Sequence, residues 1–338
     1  MNIRNQIKYF LLLTVYFVNA FVLAQDIHFS QYNMSPLNLN PAFTGLFDGD
    51  YRVGAIYRSQ WSSVPVPYST VSLMADRTMM IRGKDFGAGL LFNNDVSGTN
   101  KYSTTQLYIP LSYITKINGD SNLVLSIGVQ PGISSIGFKT NKQTFDSQFD
   151  GDAYNPALPT NENFPSISKT YFDAIGGFLV QYQVKPLTVL TAGLSLSHLN
   201  QPKVSFFKNP DIRLDPKIVP YFSVKFPVAP RTALTTEIMY EKQGKFHETV
   251  FGARAAYTLN SKDYQVVSAG VYTRLKDAVI MRVGYDYKQW QFGMSYDINT
   301  SAFVAATNRR GAIEFALIYI FKKENIFIPK KRVCPIYM

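Results

Sequence analysis

Three histidines, one cysteine and a short acidic run are the residues of this chain whose chemistry could build a catalytic or metal site. Zinc hydrolases place two histidines one helical turn apart, and His28, His198 and His247 have no such spacing. They read as isolated histidines, each satisfied by its own neighbourhood. The run D-S-Q-F-D-G-D, Asp146 to Asp152, has carboxylates enough for calcium but lacks the spacing of an EF-hand loop. It lies in a long polar stretch, where a solvated face is the better account. Cys334 has no second cysteine to pair with and reads as an unpaired tail thiol, with intermolecular pairing as the alternative. No G-x-S-x-G elbow, P-loop or G-x-G-x-x-G is present. No enzyme is expected, and no cofactor or metal.

The charges that stand out are of another kind. Arg282, Asp286, Asp297 and Glu314 each sit within a run where bulky apolar residues alternate with small or polar ones. In W-Q-F-G-M-S-Y-D-I, residues Trp290, Phe292, Met294, Tyr296 and Ile298 fall on one face, and Gln291, Gly293, Ser295 and Asp297 on the other. V-I-M-R-V-G-Y-D-Y sets Val279, Met281, Val283, Tyr285 and Tyr287 against Arg282, Gly284 and Asp286. I-E-F-A-L-I-Y-I-F sets Ile313, Phe315, Leu317, Tyr319 and Phe321 against Glu314 and Ala316. Successive side chains of a strand point to opposite faces, so a charge between bulky neighbours marks a wet face. Bulk outward and charge inward, with aromatics near the strand ends, is the inverted pattern of an outer-membrane barrel. The interior charges are mixed in sign and do not read as a selective ion filter.

The ends and the composition agree. Residues 1–24 read as a signal peptide: Arg4 and Lys8 precede an apolar stretch from Tyr9 to Leu23, and Val22 and Ala24 set a cleavage point before Gln25. No later run of 18 apolar residues suggests a transmembrane helix. A mean hydropathy of -0.05, with 22 Tyr and 25 Phe, suits strands that are apolar on one face only. The net charge of +11 includes Lys322, Lys323 and Lys330 to Arg332, just past the last strand pattern. These would meet anionic lipid head groups or an acidic periplasmic partner. A nucleic-acid partner is not expected of an exported chain with no recognised fold for one. Without an internal disulfide, stability must come from backbone pairing and packing.

The alternation repeats about fourteen times between Tyr51 and Phe321, among them as Y-S-T-T-Q-L-Y-I-P-L-S-Y-I-T-K-I, read as one strand. Connections alternate too. Tight ones include Lys185–Pro186 and Lys288–Gln289; long ones run from Gly137 to Thr170, Asn200 to Pro216 and Asn299 to Arg310. Short periplasmic turns and long outer loops are the barrel asymmetry, and an even strand number leaves both termini in the periplasm. The expected fold is therefore all-β: a transmembrane antiparallel β-barrel over residues 51–321 in the cell outer membrane. A strap over 25–50 precedes it and a basic periplasmic tail over 322–338 follows. A soluble all-β fold is the alternative.

The strap contains F-S-Q-Y-N-M-S-P-L-N-L-N-P-A-F-T-G, Phe29 to Gly45. Pro36 and Pro41 bar it from a helix interior or a central strand, while Tyr32, Met34, Leu37, Leu39 and Phe43 need burial. Starting in the periplasm, it would either fold into the lumen as a partial plug, the favoured expectation, or lie across the periplasmic mouth as a docking surface. Asn33, Asn38 and Asn40 would satisfy turns and interior polar groups.

Four stretches together resemble the PorP/SprF family of outer-membrane proteins of Bacteroidetes. They are the strap followed by Y-R-V-G-A-I-Y-R-S-Q-W, with Tyr57, Arg58, Gln60 and Trp61; D-F-G-A-G-L-L-F-N-N-D-V-S-G-T-N leading to L-S-Y-I-T-K-I; G-L-S-L-S-H-L-N-Q-P-K-V-S-F, Gly193 to Phe206; and Ser295 to Phe321, closing on C-P-I-Y-M. The resemblance implies a non-enzymatic part of the type IX secretion system and its gliding-motility relatives. Such a protein is needed to export or display particular large surface proteins, and some relatives contact the periplasmic rings of the machine. The partners implied are outer-membrane lipid, a secreted or displayed client, and periplasmic machine components.

Two further readings concern sites. The loop from Asn299 to Gly311, with Thr300, Phe303, Val304, Arg309 and Arg310, is a candidate contact for an exported partner. It could equally fold inward and constrict the pore. S-H-L-N-Q-P, Ser197 to Pro202, reads as a turn held by Asn200. An outer-membrane diffusion or substrate channel is the competing function, and a structural anchor for the periplasmic motor is a third.

Overall fold

The computed structural model describes residues 26–60, 68–117, 122–139, 144–160, 162, 167–207, 209, 211–301 and 304–322. The signal-peptide assignment for 1–24, Trp61, Phe303, Cys334 and the basic tail beyond Lys322 lie outside the described residues.

Fifteen strand segments follow in chain order: β1 (Tyr51–Gln60), β2 (Tyr68–Ile81), β3 (Lys84–Ser97), β4 (Tyr102–Tyr108), β5 (Leu111–Ile117), β6 (Leu123–Gly137), β7 (Ser168–Lys185) and β8 (Thr188–Ser197). Then come β9 (Lys217–Ala229), β10 (Thr232–Gln243), β11 (Phe246–Asn260), β12 (Gln265–Arg274), β13 (Ala278–Tyr287), β14 (Trp290–Asn299) and β15 (Arg310–Phe321). Each pairs antiparallel with its sequence neighbours, except that β4 and β5 both pair with β3 and β6, and β1 also pairs with β15, from Tyr51 opposite Phe321 to Gln60 opposite Ala312. That last pairing closes the sheet, which leaves no open edge to face lipid.

The barrel has fourteen staves because β4 and β5 form one. Both lie between β3 and β6, and the chain breaks between them at Ile109–Pro110. The sequence reads as one continuous strand there, and the reason for the interruption is chemical. Pro110 has no N–H for the ladder. Its neighbours stay tied all the same: Ile109 N–H donates to Pro131 O at 2.9 Å and Gly89 N–H to Pro110 O at 2.9 Å.

The expected inversion of the faces holds along β14 and β1. Along β14, Trp290, Phe292, Met294 and Tyr296 are exposed, whereas Ser295, Asp297 and Asn299 are buried. Along β1, Tyr51, Val53 and Tyr57 are exposed, and Arg52 and Arg58 are buried. A soluble protein would not arrange its faces this way; a lipid-facing barrel must.

The two rims differ. Connections 82–83, 186–187, 230–231 and 288–289 form one rim, together with the start of β1 and the end of β15. The other rim carries 138–167, 198–216 and 300–309. The 82–83 hairpin has Arg82 at φ 52° and Gly83 at φ 75°, the geometry of a turn whose twist matches its strands.

Candidate functional site: the barrel interior and its long-connection mouth

Residues 26–50 supply most of what the inward-facing side chains touch. The segment makes three short helical turns, Tyr32–Met34, Pro36–Leu39 and Pro41–Phe43. Pro36 and Pro41 each stand in the first turn, where a missing N–H costs nothing, so both prolines start a turn rather than break one. Asn40 caps the third, its Oδ1 accepting from Ala42 N–H at 2.8 Å.

The contacts run from one rim to the other. Asp26 meets His198 Nε2 at 2.9 Å and Lys217 Nζ at 2.9 Å, directly after β8 and at the start of β9, on the long-connection rim. Phe29 packs with Ile56 of β1 and Ala316 of β15. Ser30 lies among Arg58, Arg274 and Asp297, and the backbone N–H groups of Ser30 and Gln31 donate to Glu314 at 2.6 and 2.8 Å. Tyr32 and Leu39 pack into a cluster with Val219, Met239, Val250, Tyr272 and Ile280, and the Tyr32 hydroxyl donates to Glu237. Leu37 enters another with Met74, Leu91, Tyr108 and Ile318. Asn40 Nδ2 donates to the carbonyls of Phe178 and Leu194. Near the short-turn rim, Thr44 O accepts from Ser112, Gly45 N–H donates to Asp76, and Asp50 N–H donates to Phe321 O. The partners thus come from strands on every side of the ring.

Close approach depends on strand glycines. A Cβ on Gly128 would stand 2.4 Å from the Pro41 carbonyl carbon, and one on Gly177 would stand 2.0 Å from Asn40 Oδ1. Only glycine lets backbone and wall meet there.

The charges are buried but paired. Arg58 contacts both Glu314 and Asp297; Arg274 contacts Asp297 at 3.2 Å, Asp277 at 3.1 Å and Glu248 at 3.2 Å. Arg52 forms a two-pronged contact with Asp76, its Nε at 2.9 Å and its Nη2 at 2.7 Å. Arg282 lies 3.6 Å from Glu237 and over the Tyr272 ring at 3.6 Å. At the long-connection rim, His198 Nδ1 also meets Asp173, which accepts from the Tyr108 hydroxyl at 2.7 Å and from Ala174 N–H at 2.9 Å, and Lys217 reaches Glu241 at 3.7 Å. Burial works against a charged imidazole, but Asp26 and Asp173 outweigh it and lift His198 to about 9. Burial works against the Asp26 carboxylate too, but Lys217 and His198 outweigh it and hold that group below the usual carboxylate range.

Most of the strap residues named from sequence meet here: Tyr32, Pro36, Leu37, Leu39 and Pro41 are buried, with Met34 and Phe43 half-buried against the same clusters. The Asn299–Gly311 candidates do not converge. Asn299 is buried and donates to Thr307 Oγ1 at 3.0 Å. Thr300 N–H donates to Asp277 O, Val304 is half-buried at the start of a helical turn, and Arg309 and Arg310 are exposed. Asn200 does hold the 197–202 turn, donating to Phe172 O at 2.7 Å. In the acidic run, Asp150 Oδ1 accepts from the N–H groups of Asp152 and Ala153, so that carboxylate closes a turn. Sequence reading missed Arg274, and missed that His198 joins an ion cluster. Inward parity on β12 was the available signal for Arg274. For His198 nothing local gives Asp26 away, 172 residues earlier.

Three outcomes follow from this geometry. Arg58→Met leaves buried carboxylates short of a partner and should destabilise the barrel by about 3–5 kcal/mol, whereas Arg58→Met with Glu314→Met should recover only part of that, because the Ser30 and Gln31 N–H groups lose their acceptor; heat-modifiable gel mobility across temperature measures both. Gly128→Val should speed amide exchange in residues 38–45 while strand protection persists. His198 is raised in the fold, so its contribution is complete below its ordinary value of 6.5 and is lost as pH climbs through about 9. The stability gap between wild type and His198→Gln should accordingly be widest near pH 6 and close above pH 9 in thermal melts.

The model of the type IX secretion system membrane protein PorP/SprF matches residues 22–319. Among solved structures, the barrel is similar to a mutant of the monoaromatic hydrocarbon channel TodX, with TM-score 0.51 and 11% identity over 84% of this chain and 93% of that one. The P. putida toluene transporter TodX aligns over 84% of this chain and 93% of that chain at TM-score 0.49 and 11% identity. A Pseudomonas aeruginosa FadL homologue aligns over 83% and 93% at TM-score 0.49 and 10% identity. At such identities the likeness is one of fold alone. No curated protein matches the chain. A closed fourteen-stave barrel with an apolar outer face fits an outer-membrane protein, and the family match spans nearly all of it: the chain belongs to the PorP/SprF family of type IX secretion system membrane proteins.

Proposed function

We propose that this protein is a non-enzymatic outer-membrane component of type IX secretion, needed for secretion or surface display of particular large client proteins such as gliding adhesins. In this reading residues 26–50 plug the barrel and the long-connection mouth meets the client, with Asn299, Thr300, Phe303, Val304, Arg309 and Arg310 as contact residues. The short-turn rim and the basic tail face the periplasmic machine. The family supports the pathway. The observation that carries the plug is the ring of contacts from Asp26 to Asp50, which ties apolar clusters and buried ion pairs of the wall to one segment.

A diffusion channel is the second reading. It is favoured by Lys225 and Gln183, which face inward by strand parity yet are exposed, so part of the interior near the short-turn rim is solvent-filled. Planar-bilayer conductance separates the two: a plugged barrel is silent as wild type and conducts once 29–45 are deleted, whereas a channel conducts as wild type.

The function itself is tested by the surface and secreted proteome of a deletion strain. Loss of one or a few large surface proteins with general secretion intact is expected, and an unchanged proteome would overturn the proposal. Alanine at Arg309 and Arg310 should reduce client display without lowering barrel abundance in the membrane.

A further inference from the structure

The strap was expected to start in the periplasm, because it follows the signal peptide directly. Its first described residue, Asp26, lies at the long-connection rim. Asp26 lies against His198 and Lys217, at the two ends of the 198–216 connection, and Ile27 and Phe29 pack by Ile56 and Ala316 at the middle of β1 and β15. Gly45 and Asp50 lie by Asp76 and Phe321 at the short-turn rim. The segment therefore spans the interior with its first residue at the far rim from the start of β1.

We propose that residues 26–50 are threaded outward, so that the processed amino terminus stands in the long-connection mouth and forms part of the surface presented outside the cell. Asp26 is the latch. Its carboxylate bridges two cations, His198 and Lys217, which are themselves backed by Asp173 and Glu241 and nearly excluded from water. Loss of such a carboxylate leaves each of the two cations with a single remaining acidic partner in a poorly solvated site. Sliding the segment back toward the periplasm breaks this cluster and also the bonds that Ser30 and Gln31 make to Arg58, Arg274, Asp297 and Glu314 of the wall. A partner at the mouth meets the amino terminus directly, whereas a partner at the short-turn rim meets only the segment's last residues.

The inference rests on the plug reading, and the experiment keeps their failures apart. Intact cells carrying the wild-type protein are treated with a membrane-impermeant amine reagent, and the amino-terminal peptide is read by mass spectrometry. In a Cys334→Ser background, single cysteines at residue 25, within the segment (Asn38→Cys), in the 138–167 connection (Asp150→Cys) and in the 82–83 turn (Gly83→Cys) are probed with an impermeant maleimide. Outward threading gives labelling of the amino terminus, of Gln25→Cys and of Asp150→Cys in intact cells. Gly83→Cys then labels only after permeabilisation, and Asn38→Cys in neither state. If Gln25→Cys and the amino terminus label only after permeabilisation while Asn38→Cys stays protected, the threading is wrong and the plug stands. If Asn38→Cys labels freely, the plug reading falls and takes this inference with it. Asp26→Asn should raise cleavage of the segment by protease added outside the cells at least about tenfold, with the barrel still heat-modifiable; unchanged cleavage would remove the latch.

Discussion

A closed barrel in lipid has its large apolar side chains on the outside, and everything else about this molecule answers that constraint. The wall must turn its polar residues inward, where they cannot all be hydrated. Arg52, Arg58, Arg274 and Arg282 are each almost fully buried. Charges in that position are tolerated only when paired, and they are paired with one another and with residues 26–50. Glu314 shows the dependence most plainly. It is entirely buried between Arg58, Ser295 and the backbone N–H groups of Ser30 and Gln31, so strand and segment complete a single polar site.

The same contacts explain how an irregular, proline-bearing segment can be ordered inside a regular sheet. Its helical turns make their own backbone hydrogen bonds over three or four residues, and other backbone groups of the segment find partners in Arg52, Asp76, Ser112, Ser126 and Glu314. Glycines at 128 and 177 remove the side chains that would hold it away from the wall. Hydrophobic burial and ion pairing act at different levels along its path. Leu37 and Leu39 are buried in apolar clusters at mid-barrel, while Asp26 and Ser30 are fixed by charge toward the long-connection rim. A segment held at several heights by different forces resists displacement by any single one of them.

For the reading of function, the consequence is a division of labour along the barrel axis. The long connections contain ordered polar turns, including the 198–202 turn that Asn200 ties to β7 and the 150–153 turn closed by Asp150. The short-turn rim offers instead tight hairpins and the junction of Asp50 with the end of β15.

Strand number, face polarity and the inequality of the two rims were all legible in the sequence, because a period-two alternation is local: each residue declares its face by its neighbours alone. The family was legible for a similar reason, in contiguous motifs such as S-H-L-N-Q-P and the strap itself. The break at Ile109–Pro110 was also written locally, in a proline that cannot donate to the ladder, although the run reads as continuous. What the tertiary structure decided is which charges meet. Arg58 and Glu314 are 256 residues apart, Asp26 and His198 are 172 apart, and only closure of β1 on β15 and the path of the segment bring them together. Direction along the barrel axis belongs to that second class. Alternation fixes in from out, but a chain entering a closed ring can run either way, and the buried partners of Asp26 set which.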